Sequence, residues 1–130
     1  MIVDTSAVLA ILNREEDREV FARALLGPGT PRMSTATWVE ATRVVDLRRS
    51  PVASQNLDAL VERAGIEFVD FTAEHARLAR SAHQRFGRGT GHPAKLNLGD
   101  CFSYALAKAT DEPLLFKGDD FSKTDIRSAL

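Results

Sequence analysis

Asp4, Glu40, Asp100 and the adjacent pair Asp119 and Asp120 are the side chains of this 130-residue chain best suited to chemistry. Carboxylate oxygens are the preferred ligands of hard divalent cations such as Mg2+ and Mn2+, which one or two carboxylates plus waters commonly hold. Several carboxylates crowded without a cation repel and raise one another's pKa values. With a cation, the same group can orient and activate water for attack on phosphorus. Each acid also has an ordinary role open to it. Asp4 can end a strand and start a helix, and Glu40 can bridge to Arg43 or reach solvent. Asp100 can complete a capping arrangement with Asn97. Asp119 and Asp120 can belong to an acidic turn in which Gly118 supplies backbone freedom. The acids span the whole chain, so only folding can unite them.

The segments around them predict how that happens. "MIV" reads as a short buried strand, and Asp4-Thr5-Ser6 offers capping side chains for a helix over 6–12. A second helix is expected near 16–26, closed by the turn "GPGTP". "RMS" reads as a strand. "STATWVEATRVVDLRR" reads as an amphipathic helix that stops before Pro51, because the residue preceding proline avoids the helical region. On its wheel Glu40 falls between Val44 and Leu47, in the apolar sector. There an unpaired carboxylate would cost several kcal/mol to desolvate. A further helix is expected from Pro51 to Arg63 with Gly65 as its stop, then a strand in "IEFVDF" and a helix capped by Thr72.

"GRGTGHPAKLN" is the longest irregular stretch, and loops of that size tend to be functional. "LGDCFSYALAKAT" follows as a helix with Asp100 in its first turn, where the helix dipole favours an anion. "PLLF" reads as the last strand. Strands that alternate with helices imply a parallel sheet in an α/β fold, in one domain over 1–130. In such sheets sites form beyond the carboxyl ends of the strands. Asp4 and the Asp119–Asp120 pair both stand at that end.

Composition narrows the function classes. The chain is 44% hydrophobic and 27% charged with a formal net charge of −1, so global charge alone makes no case for nucleic acid. Local charge is more informative, since Arg77, Arg80, Arg85, Arg88 and Lys95 form a basic run that could rim an acidic centre. No apolar stretch approaches the ~20 residues that span a bilayer. The N-terminus does not read as a signal peptide. A single cysteine, Cys101, excludes an internal disulfide and fits a reducing, cytoplasmic setting. His75, His83 and His92 lack metal-ligand spacing and read as surface or loop residues, and Asp125 reads as surface. Trp38 reads as core or interface. "GRGTG" does not sit between a strand and a helix, so a dinucleotide site is not expected.

The assembled pattern resembles the PIN-domain family, and within it the VapC-type toxins of type II toxin-antitoxin systems. The resemblance covers essentially the full length and rests on "MIVDTSAVLAIL", "STATWVEATRVV" and "LNLGDCFSYALAKATDEPLLFKGDDFSKTDI". It implies a three-layer α/β/α fold with a short central parallel sheet and a Mg2+- or Mn2+-dependent ribonuclease. It also implies a homodimer held inactive by an antitoxin. By position, Asp4, Glu40 and Asp100 match the family's acids. Many relatives carry a further aspartate where this chain has Gly118, so Asp119 or Asp120 would replace it.

On this reading Asp4 and Asp100 are the main metal ligands, with Asp119 or Asp120 completing the shell. Glu40 orients or deprotonates the attacking water. Thr5 and Ser6 bond the ligands or the substrate phosphate, and Arg85, Arg88 and Lys95 grip an RNA backbone. The rival readings are a binding module of the same fold without an effective site, favoured by Gly118, and a phosphoacceptor signalling domain. The latter wants an acidic pair after the first strand, where "DTSA" supplies one acid.

Overall fold

The computed structural model describes all residues from 1 to 130. Its element order is β1 (Ile2–Val3), α1 (Thr5–Leu12), α2 (Arg18–Leu25), β2 (Arg32–Ser34), α3 (Thr35–Asp46) and α4 (Pro51–Ala64). Then come β3 (Glu67–Val69), α5 (Ala73–Phe86), α6 (Leu98–Thr110) and β4 (Leu114–Leu115), with a final 3-10 turn at Phe121–Lys123. All strand pairs are parallel, in the order β3-β2-β1-β4. A pair of helices therefore fills each crossover between successive strands. The chain leaves β1 towards β2 and β3, then returns to place β4 on the other side of β1. That reversal makes the gap beyond β1 and β4 the position where open α/β sheets place their sites.

The sheet is buried on both faces. Successive strand residues point to opposite sides, so Ile2 and Leu114 join one core cluster while Val3 and Leu115 join the other. The first cluster is built on α5 and α6 with Ala79, Phe86, Leu96, Cys101 and Leu106. The second is built on α1 to α4 with Val8, Phe21, Leu25, Val45 and Leu57. This is the expected α/β/α arrangement. No helix is long and apolar enough to cross a membrane.

Local signals set most boundaries. Ser50 caps α4 ahead of Pro51, and Gly65 ends it at φ 62, a left-handed position that suits glycine. Thr72 caps α5 through a 3.2 Å bond from His75 N–H. Three expectations need correction. α2 begins at Arg18 rather than 16, because the preceding residues close turns of their own. β3 is confined to Glu67–Val69, which pairs only as far as the three-residue β2 allows.

The third concerns His75, which is buried at 6% exposure rather than on the surface. It stands edge-on to Phe71 at 6.1 Å between ring centroids, on the face of α5 that also buries Ala79, Ala82 and Phe86. Spacing of 4, 7 and 11 residues along α5 places it in that stripe. His83 is exposed and His92 half-buried in its loop.

Leu106 is fully buried on α6, the helix that carries Asp100. Leu106→Ala is expected to lower unfolding free energy by about 2–5 kcal/mol, measured by urea denaturation. A loss under about 1 kcal/mol would contradict the close packing described for this layer.

Candidate active site

Asp4 follows β1 directly and is the N-cap of α1. Its backbone N–H still belongs to the sheet, donating to Leu115 carbonyl at 3.0 Å. The side chain is 3% exposed. Oδ2 accepts from Ser6 N–H at 2.9 Å and from Ser6 Oγ at 2.6 Å, while Oδ1 accepts from Ser103 Oγ at 2.5 Å. Ser6 Oγ in turn accepts from the Lys117 N–H at 3.0 Å, just beyond β4. The strand tip is thus tied to the chain that leaves its neighbouring strand.

Glu40 reaches the same place from α3. The apolar sector of its wheel is not the buried one: Thr37, Ala41 and Val45 face the core, whereas Leu47 is 67% exposed and Val44 only half-buried. The sheet above β2 fixes which stripe turns inward, and it selects the smaller residues. Glu40 flanks that stripe, half-buried, and its Oε2 accepts from Thr5 Oγ1 at 2.8 Å. Gly99 makes this approach possible. A β-carbon there would lie 1.9 Å from Glu40 Oε1, so a side chain at 99 would expel the carboxylate. Burial raises the Glu40 pKa, the charge of Asp4 adds to it, and the Thr5 bond and Arg43 oppose it.

Asp100 enters from the first turn of α6. The capping arrangement is real: Asn97 Oδ1 accepts from Asp100 N–H and Asp100 Oδ2 accepts from Asn97 N–H, both at 2.9 Å. The cap occupies only Oδ2, and Oδ1 has no bond within the chain, so capping and ligation are compatible. Burial is the largest cause that lifts Asp100 from its ordinary 3.8 to about 7. The Asn97 bond opposes it, and the charges of Asp4, Asp120 and Glu40 push it further up. Asp120 is thus the late acid whose charge reaches the cluster. Asp119 is not among those charges; its backbone carbonyl accepts from Ser122 Oγ at 2.6 Å. Gly118, at φ 101, makes the turn that brings Asp120 round.

Thr5 and Ser6 are thereby engaged with carboxylates. The basic residues divide. Arg85 lies over the Phe86 ring at 4.5 Å, donates to Tyr104 Oη at 3.4 Å and pairs with Asp125 at 3.6 Å. Asp125 also accepts from Tyr104 Oη at 2.8 Å and Lys108 Nζ at 3.1 Å, so this exposed acid anchors the C-terminal segment. Arg88 and Lys95 form no ion pair, and with Gly89, Gly91 and His92 they line an open cleft of about 580 Å³.

Two residues central to this geometry, Gly99 and Thr37, carry no signal in one sequence. Ser103 carries a faint one, a hydroxyl on the Asp100 side of its helix. Lys117 is tied to Glu15 and, at 2.7 Å, to Asp17, so its ammonium is paired away from the carboxylates.

The model for the PIN domain matches residues 1–127. This chain belongs to the PIN-domain family. Within the family it is of the VapC type: it is 51% identical over 130 residues to Ribonuclease VapC28 of Mycobacterium tuberculosis, covering 100% of this chain and 98% of that one. Its fold is similar to that of VapC20 of M. tuberculosis, described as a sarcin-ricin loop cleaving toxin. The TM-score is 0.74 at 18% identity, over 96% of this chain and 95% of that one. VapBC2 of Rickettsia felis, solved bound to a DNA fragment from its promoter, matches with a TM-score of 0.67 at 20% identity, over 94% and 90%.

The PIN-domain site is an unbalanced one. Burial lifts Asp100, and the charges of Asp4, Asp120 and Glu40 lift it further. No three Asp, Glu, His or Cys side chains form a ready-made cation cage. Between 3.8 and about 7 the folded protein holds a proton on Asp100 that the unfolded chain has lost, so stability falls as pH rises through that window. Asp100→Asn keeps an oxygen for the cap and removes the charge. In EDTA the variant is expected to melt above the natural protein at pH 7.5, with the difference closing towards pH 4. A lower melting temperature at pH 7.5 would contradict the upward shift of Asp100.

Proposed function

We propose that this VapC-type protein is an endoribonuclease toxin that hydrolyses a single-stranded or looped segment of a structured RNA at a Mg2+ or Mn2+ site. The observation that carries the reading is the meeting of Asp4, Glu40 and Asp100 at the strand tips, where burial first, and then the neighbouring carboxylate charges, raise Asp100 to about 7. A divalent cation would relieve the repulsion among those charges. Asp4 and Asp100 would hold it, with Asp120 in the fourth position in preference to Asp119. Bound there, it would supply charge neutralisation at the phosphate and an activated water.

The chain's own groups do the rest. Thr5 fixes Glu40 through Oε2, which leaves Oε1 unbonded to accept a proton from the attacking water. The water oxygen forms the new bond to phosphorus as the bond to the leaving ribose oxygen breaks. A raised pKa places Glu40 closer to neutrality than an exposed glutamate, as a base of this kind requires. Asn97 holds Asp100 through the cap. The loop that ends at Asn97 carries Arg88 and Lys95, whose unpaired charges suit RNA phosphates. Arg85, engaged with Asp125, is assigned to the C-terminal segment instead.

Partners follow the same reading. A second copy of the chain would cover the apolar face beside the site, where Val39 is 64% and Leu98 68% exposed and Phe102 packs on Phe71 at 5.2 Å. A protein antitoxin would hold the toxin inactive in the cytoplasm.

Purified protein is expected to cut total cellular RNA into discrete products with Mg2+ or Mn2+ and to fail in EDTA. Asp4→Asn should lower the rate at least about 100-fold, on the scale of a general acid–base or metal-site loss. Joint replacement of Arg88 and Lys95 by alanine should weaken RNA binding and lower the slope of log K against log salt by about 1.4. Absence of cleavage by folded, metal-loaded, partner-free protein would favour a binding module of the same fold. An unchanged salt slope would remove the loop from the RNA surface.

A further inference from the structure

Two chains of hydrogen bonds end on Asp4, one on each carboxylate oxygen. The first runs from Lys117 N–H through Ser6 Oγ to Oδ2 and lies within the strand-tip turns. The second comes from the interior. Ser103 Oγ meets Oδ1 at 2.5 Å, and Thr37 Oγ1 lies 3.2 Å from Ser103 Oγ. Thr37 is on α3 and Ser103 on α6, and both are fully buried.

Ser103 Oγ donates to Asp4 Oδ1, and a serine hydroxyl has one proton to give. That leaves Thr37 as the donor in its contact with Ser103. Buried hydroxyls need partners, but two apolar side chains of similar size could have filled the same space. Without the pair, Oδ1 would have no donor from the chain, and repulsion from Glu40 and Asp100 would be free to turn the carboxylate away.

We infer that Ser103, oriented by Thr37, is a positioning residue that holds the Asp4 carboxylate in the arrangement a cation requires. The inference rests on the divalent-cation reading given above. It couples the two helices that deliver Glu40 and Asp100 to the third acid: α3 carries Thr37 three residues before Glu40, and α6 carries Ser103 three residues after Asp100. A shift of either helix would be felt at Asp4 as well as at its own acid.

Mn2+ binding by calorimetry, with melting curves in EDTA, separates positioning from packing. Ser103→Ala is expected to weaken Mn2+ binding by about tenfold or more, the scale typical of groups that orient metal ligands. Thr37→Val, which keeps the shape and removes the hydroxyl, should weaken it in the same direction by a smaller factor. Thr37→Ser, which keeps the hydroxyl, should retain the natural affinity. Natural Mn2+ affinity in both Ser103→Ala and Thr37→Val, whatever their melting temperatures, would overturn the inference and leave the pair a packing feature. If only Thr37→Val binds normally, the part given to Thr37 is overturned and that of Ser103 stands. Should Ser103→Ala fail to fold, the comparison of Thr37→Val with Thr37→Ser decides. Failure of the natural protein to bind Mn2+ would overturn the cation reading and this inference with it, an outcome distinct from normal binding by all variants.

Discussion

Repulsion among Asp4, Glu40 and Asp100 is the constraint on which the rest of the site depends. Left to itself it would drive the three carboxylates apart or keep one of them protonated. The fold opposes it with specific contacts. Gly99 leaves space for the Glu40 carboxylate against the start of α6, where any β-carbon would intrude. Thr5 holds Glu40, Asn97 holds Asp100, and hydroxyls on both sides hold Asp4. The result is a charge imbalance confined to the strand tips, which a divalent cation would resolve.

The topology explains why the acids meet there and nowhere else. β1 lies between β2 and β4, and the chain changes direction across it. Asp4 leaves the end of β1 and Asp120 follows β4. Glu40 lies on the helix that leaves β2, and Asp100 on the helix that leads into β4. Sites at such reversals need no long excursions, because short parallel strands deliver several chain segments to one edge. The same arrangement separates the basic residues. The loop before α6 carries Arg88 and Lys95 without partners, whereas Arg85, one turn earlier on α5, is drawn into the Tyr104–Asp125 group.

Much of this was legible in the amino-acid order because it is local. Short apolar runs gave the strands, and Ser50, Thr72, Asn97 and Gly65 gave the helix ends. Asp4, Glu40 and Asp100 stood out by type and by resemblance to the PIN-domain family, and the match over residues 1–127 bears out the family. What stayed hidden depends on contacts between distant segments. The wheel of α3 placed Glu40 in an apolar sector, yet the sheet turned Thr37, Ala41 and Val45 inward and left Leu47 in solvent. His75 read as surface because one histidine carries no sign of burial, although its spacing matched the stripe of Ala79 and Phe86. Gly99 gives no hint that a carboxylate lies against it. Asp100 posed a choice between cap and ligand that was not a true alternative, since the cap uses one oxygen and leaves the other.

The account turns on whether Asp100 is lifted by burial and by its neighbours' charges and released by a cation. Carbon-13 NMR of the aspartate carboxyl carbons, assigned with the Asp100→Asn variant, reads this directly. Titration in EDTA should give Asp100 a midpoint near 7, and the same titration in saturating Mg2+ should move it well into the acid range. A midpoint near 4 in EDTA, or one that Mg2+ leaves in place, would contradict the claim that these carboxylates form one cation site.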